Sequence, residues 1–76
     1  MQKWEYLFLI TEKKGDTWYA SAENGRRLNT NDPMTMYDYA NKLGEDGWEL
    51  VSAPYTSDSY NYIKPRLIFK RPKLEL

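Results

Sequence analysis

The sequence predicts an α+β domain, an antiparallel four-stranded sheet in ββαββ order with one helix packed on one face. Three observations predict it. Stretches rich in aromatic and β-branched residues have the length of strands. One segment alone carries an apolar stripe with helical period. Turn-forming residues separate these segments, with no internal repeat and no linker between them.

The first strand is Lys3 to Glu12, KWEYLFLITE. Trp4, Tyr6, Phe8 and Ile10 share one face of it, and Glu5, Leu7, Leu9 and Thr11 share the other. Both faces are apolar beyond Glu5, which suggests a central strand with something over part of each side. Lys13-Lys14-Gly15-Asp16 then turns the chain, Gly15 supplying a positive φ. Thr17 to Glu23 reads as a second strand pairing back on the first. Asn24-Gly25 is a tight-turn signal, and whether Arg26 to Asn29 forms a further short strand or a loop stays open from sequence.

For the helix, Asp32 is a suitable N-cap and Pro33 suits the first helical position. Met36, Ala40 and Leu43 recur at i, i+4 and i+7 with Tyr39 beside them. Gly47 fits the C′ position, which puts Leu43 and Trp48 in the clasp of a Schellman motif; Trp48 is therefore expected in the core. Trp48 to Ala53 reads as the third strand and Pro54 to Asn61 as a loop. The last strand runs from Tyr60 to Arg71, with Pro65 marking an edge, a bulge or the true start, and Pro72 ending it. The domain is expected to span 1–76 with a frayed tail from about 73.

The segment Asn41-Lys42-Leu43-Gly44-Glu45-Asp46-Gly47-Trp48-Glu49-Leu50-Val51, with an opening Trp4-Glu5-Tyr6 and a closing Phe69-Lys70-Arg71-Pro72, resembles the bacterial family numbered 4177 among domains of unknown function. The resemblance covers both ends and the middle of the chain. The segment Thr17 to Asp32 departs from it, being longer and more polar. It implies a fold and no catalytic or cofactor residues.

Composition narrows the function. A chain of 76 residues buries only roughly 60% of the surface its unfolded form exposes, so large side chains or a partner must help. Aromatic residues, 16% of the chain, supply contact area, and a homodimer is the other expected source. The chain has no His and no Cys, which removes the commonest general acid–base, nucleophilic and thiolate–metal arrangements. Glu45, Asp46 and Glu49 read as a solvated helix end, and Asn29 to Asp32 as a helix approach before a cation site. No phosphate-binding glycine loop is present. An enzyme, a cofactor and a metal are not expected. No apolar run nears the roughly 18 residues of a membrane span, and a cytoplasmic location without membrane contact is expected.

Eleven basic and eleven acidic residues cancel, yet they segregate along the chain. Lys64, Arg66, Lys70, Arg71 and Lys73 form a basic end without an acid, and acids dominate from Leu28 to Asp58. One helix covers one face of a sheet, so function is sought on the other. Two uses of that face compete. Self-association is expected through an exposed Trp18 or Tyr19 beside Leu7 and Leu9, unless the segment Asn24 to Asn31 folds over the face and hides it. The alternative is nucleic-acid binding by Tyr60, Tyr62, Lys64, Arg66 and Lys70, which alternate onto one side of the last strand. Against it, those side chains can equally decorate a solvated sheet and guard an edge, and a net charge of zero is unusual for such a binder.

Overall fold

The computed structural model describes residues 1–28, 31–57 and 63–74. Its elements are β1 (Trp4–Lys14), β2 (Thr17–Glu23), β3 (Arg26–Arg27), α1 (Met36–Glu45), β4 (Glu49–Ser52), β5 (Tyr55–Ser57) and β6 (Ile63–Pro72). The α+β class, the single helix and the antiparallel pairing hold. The sheet has six strands rather than four, in the order β3-β2-β1-β6-β4 with β5 also pairing β6.

Turn chemistry explains the two added strands. Asn24 and Gly25 both take positive φ, 49° and 78°, the geometry of a two-residue hairpin turn whose twist matches its flanking strands. The chain therefore returns as β3, Arg26 opposite Glu23 and Arg27 opposite Ala22. Leu28 and Met34 also lie along this edge of β2: the Leu28 N–H donates to the Ser21 carbonyl and the Ala20 N–H to the Met34 carbonyl, both at 2.9 Å. The second addition, β5, pairs Tyr55 with Pro65 and Thr56 with Lys64. The expected loop after β4 is thus partly a strand.

Those edge contacts also move the start of the helix. Thr35, not Asp32, is the N-cap: its hydroxyl accepts from the Asp38 N–H at 3.2 Å. Met34 and Thr35 are held extended against β2, so the helix cannot begin at Pro33. The far end follows the expectation. Gly47 has φ +89°, the Trp48 N–H reaches the Leu43 carbonyl and the Gly47 N–H the Gly44 carbonyl, both at 3.0 Å. This double closure is the Schellman motif. It delivers Trp48 onto the core, where the Arg71 guanidinium stacks 4.2 Å from its ring. Arg71 also pairs with Glu5 and donates to the Asp46 carbonyl at 3.1 Å, tying helix end, β1 and β6 together.

β6 and β1 are the spine, paired from Trp4↔Pro72 to Ile10↔Arg66. Leu7 and Leu9 of β1 face Phe69 and Leu67 of β6, and Met36, Tyr39 and Leu43 of α1 close over them. Leu9 is 1% exposed and Phe69 2%. Thr11, fully buried, satisfies its hydroxyl by donating to the Pro65 carbonyl at 2.7 Å. Pro65 lies just past the last β1–β6 pair, so its missing N–H costs that ladder nothing and the alternation of β6 runs through it unbroken. No helix among the described residues is long and apolar enough to cross a membrane.

Tyr39 adds a polar tie beneath the helix, its hydroxyl donating to the Glu23 carboxylate at 2.6 Å. Burial first, then that hydrogen bond and the charges of Glu23 and Asp46, raise the phenol well above the usual tyrosine range. A raised folded value means the folded state holds the proton more tightly than the unfolded chain. The stabilisation is therefore complete below about pH 10, the unperturbed tyrosine value, and is lost as pH rises above it. Tyr39→Phe is expected to cost about 1–2 kcal/mol at neutral pH and to flatten the alkaline fall. Urea unfolding of both proteins between neutral and strongly alkaline pH checks this; parallel curves would contradict it.

Candidate functional site

Which face of the sheet is open follows from strand alternation and the position of α1. Leu7, Leu9 and Thr11 lie under the helix, so Trp4, Tyr6, Phe8, Ile10 and Glu12 lie on the opposite face. Register carries the assignment across the sheet. Trp4 opposes Pro72, Tyr6 opposes Lys70, Phe8 opposes Ile68 and Ile10 opposes Arg66. Lys70 opposes Glu49 and Ile68 opposes Ser52 on the far side. At the other edge Glu12 opposes Tyr19 and Ile10 opposes Ala22, which opposes Arg27.

This geometry corrects the expected association residues. Leu7 and Leu9 are core, sealed beneath α1. Trp18 opposes Lys13 on the helix side and packs against the same cluster, with the Lys13 ammonium 5.9 Å from its ring. Tyr19 alone of the four reaches the helix-free face, at its β2 margin. The error was one of face and not of pairing: the sequence groups each row correctly but does not show which row the helix covers.

The open face instead carries a row on β1 that sequence reasoning did not nominate. Trp4, Tyr6 and Phe8 retain 40%, 50% and 52% of their surface. They alternate along one strand, so neighbouring rings are set ~6.8 Å apart along its axis. A signal existed in Leu67 and Phe69, the apolar row of β6. Had β1 been known to pair with β6, their register would have drawn Leu7 and Leu9 inward and left the aromatic row out.

Among the nucleic-acid candidates, Lys64, Arg66 and Lys70 share this face, because β6 alternates without interruption. Tyr60 and Tyr62 lie outside the described residues, as do Asn29 and Thr30 of the considered cation site. The Lys70 ammonium sits 4.3 Å from the Trp4 ring centroid, so aromatic and cationic groups interleave across the two central strands. The described residues just after Asn24 do not cover the face: Arg26–Arg27 extend the sheet sideways, and Leu28 packs on the core.

The helix-free face carries more cations than acids. The helix-free face holds Lys14, Arg27, Lys64, Arg66 and Lys70 against Glu12 and Glu49, among the described residues. Asp38, Glu45 and Asp46 stand exposed on α1 and its cap. Zero net charge thus conceals a local excess of cations on this face, although Arg71 of the basic end lies on the helix side and Glu49 of the acidic middle lies on this one.

The remaining surface offers little chemistry. An apolar groove of about 230 Å³ runs between α1 and β4–β5, lined by residues such as Met36, Leu50, Tyr55 and Leu67, with no charged group on it. Tyr39, its proton held tightly by Glu23, is no base at neutral pH. No group of three or more acidic side chains that would hold a metal stands together among the described residues. Compared with protein families, curated proteins and solved structures, the chain matches none.

Proposed function

We propose that the chain is a small non-enzymatic binding module that works through the helix-free face of its sheet. The observation that carries this reading is the row Trp4, Tyr6 and Phe8, half-exposed on the central strand β1. Three large rings side by side on a solvent face form an apolar patch of the kind that marks an interaction surface rather than scattered exposure. Two occupants fit the surface. A second copy of the chain would relieve the exposed rings and add the burial that a small domain lacks. A polyanion is favoured by the Lys and Arg side chains of β6 beside them.

Substitution at Phe8 tests whether the row binds or merely holds the fold. Thr keeps strand propensity and removes the ring, so Phe8→Thr is expected to change unfolding free energy by no more than about 1–2 kcal/mol, part of one half-exposed side chain. It should abolish concentration-dependent mass in sedimentation, or binding of any ligand, wherever the parent shows either. A loss of stability as large as that from emptying the core would make the ring a structural member and end the reading.

A further inference from the structure

We infer that the helix-free face binds an unpaired polynucleotide strand, its bases stacked on Tyr6 and Phe8 and its phosphates held by the cations of β6 and β3. The inference rests on the reading that this face is the working surface and names what it takes. Three features carry it together. The rings repeat every ~6.8 Å along β1, about twice the ~3.4 Å per nucleotide of a stacked strand, so an extended strand can place successive bases on successive rings. The cationic row lies one strand away, ~4.8 Å across the sheet, so a base on Tyr6 or Phe8 leaves its phosphate beside Lys70 or Arg66. Arg27 supplies a cation at the opposite margin, so the aromatic strip is flanked by positive charge on both sides.

Charge decides between the occupants. On this face the cations exceed Glu12 and Glu49 among the described residues. A second copy laid face to face would oppose two surfaces of like sign, whereas a polyanion meets complementary charge. A duplex keeps its bases stacked inside and offers no π-face to a flat row of rings; an unpaired strand does. Neutral overall charge does not argue against this surface, because attraction at short range follows the local field and not the sum.

The test is fluorescence polarisation with labelled oligothymidylate and oligouridylate of about 10 nucleotides, and a duplex of equal length, at low salt. Both single strands are expected to bind and the duplex to bind more weakly. Phe8→Thr and Tyr6→Thr should each weaken binding roughly 5- to 150-fold. Arg66→Gln should reduce the salt slope by about 0.7, the share of one phosphate contact. Tyr37→Thr, on the exposed side of α1, should change nothing. Binding that survives loss of both rings overturns the stacking inference. No polarisation change with any strand overturns the polynucleotide, and sedimentation then separates the two readings. A mass that rises with concentration and is abolished by Phe8→Thr keeps the face and assigns it to a second copy. A constant mass removes both.

Discussion

Phe69→Ala is expected to lower the unfolding free energy by about 3–5 kcal/mol, the largest stability effect of any single substitution considered. Phe69 is the largest fully buried side chain among the described residues, 2% exposed. It lies on β6 between Leu7 of β1 and Leu50 of β4, under the helix. Truncating a buried Phe costs about 3–5 kcal/mol, the lost transfer energy plus the cavity left behind. A domain of 76 residues holds roughly 4–11 kcal/mol in all, so the change removes between about a quarter and the whole of it. Relaxation cannot absorb much, because the residue sits on the strand that pairs with three others. Denaturant unfolding followed by far-ultraviolet circular dichroism measures the loss. A change below about 1 kcal/mol would mean that the core is not centred on β6.

Trp48→Ala is the second large effect, expected at about 2–4 kcal/mol. Its ring does three things at one place. It closes the Schellman turn against the last turn of α1, it packs on the core, and it carries the Arg71 guanidinium at 4.2 Å. Full burial of a Trp would predict the upper part of the 3–5 kcal/mol range; its partial exposure lowers that, and the cation–π contact restores about 0.5–1 kcal/mol. Without the ring Arg71 loses its platform, and with it the orientation that lets it reach Glu5 and the Asp46 carbonyl. The two losses should be coupled. In a double-mutant cycle with Arg71→Ala, measured by denaturant unfolding, the combined cost should fall short of the sum of the single ones; simple additivity would show that the stack contributes nothing.

Local chemistry was legible in the sequence where residues acted on their neighbours. Gly47 after Leu43 stops the helix and Trp48 closes it, because a C-cap is decided within six residues. The rows of β1 and β6 were legible for the same reason, since alternation is a property of one strand. What a single strand cannot state is its neighbour. β1 pairs with β6 from the far end of the chain, and that pairing alone determines which row of β1 meets the helix. Read alone, β1 therefore offers Leu7 and Leu9 as surface candidates and leaves the aromatic row unclaimed. Asp32 is an N-cap by local preference, but Met34 and Thr35 bind the edge of β2, which moves the N-cap three residues on, to Thr35. A tertiary contact overrode a propensity worth about 1 kcal/mol.

The same pairing has a consequence for the chain as it is made. Leu7 emerges from the ribosome well before Phe69, its partner across β1 and β6. At 5–20 residues per second the ~60 intervening residues take about 3–12 s. The hairpins β1–β2 and β2–β3 join near neighbours and can form during that interval, but one whole edge of β1 stays bare until β6 arrives. For those seconds the nascent polypeptide displays an unsatisfied backbone row flanked by Leu7 and Leu9 on one side and Tyr6 and Phe8 on the other, a template for wrong pairing. Yield in the cell should then depend on how fast translation completes β6, and slowed codons between β1 and β6 should cost product.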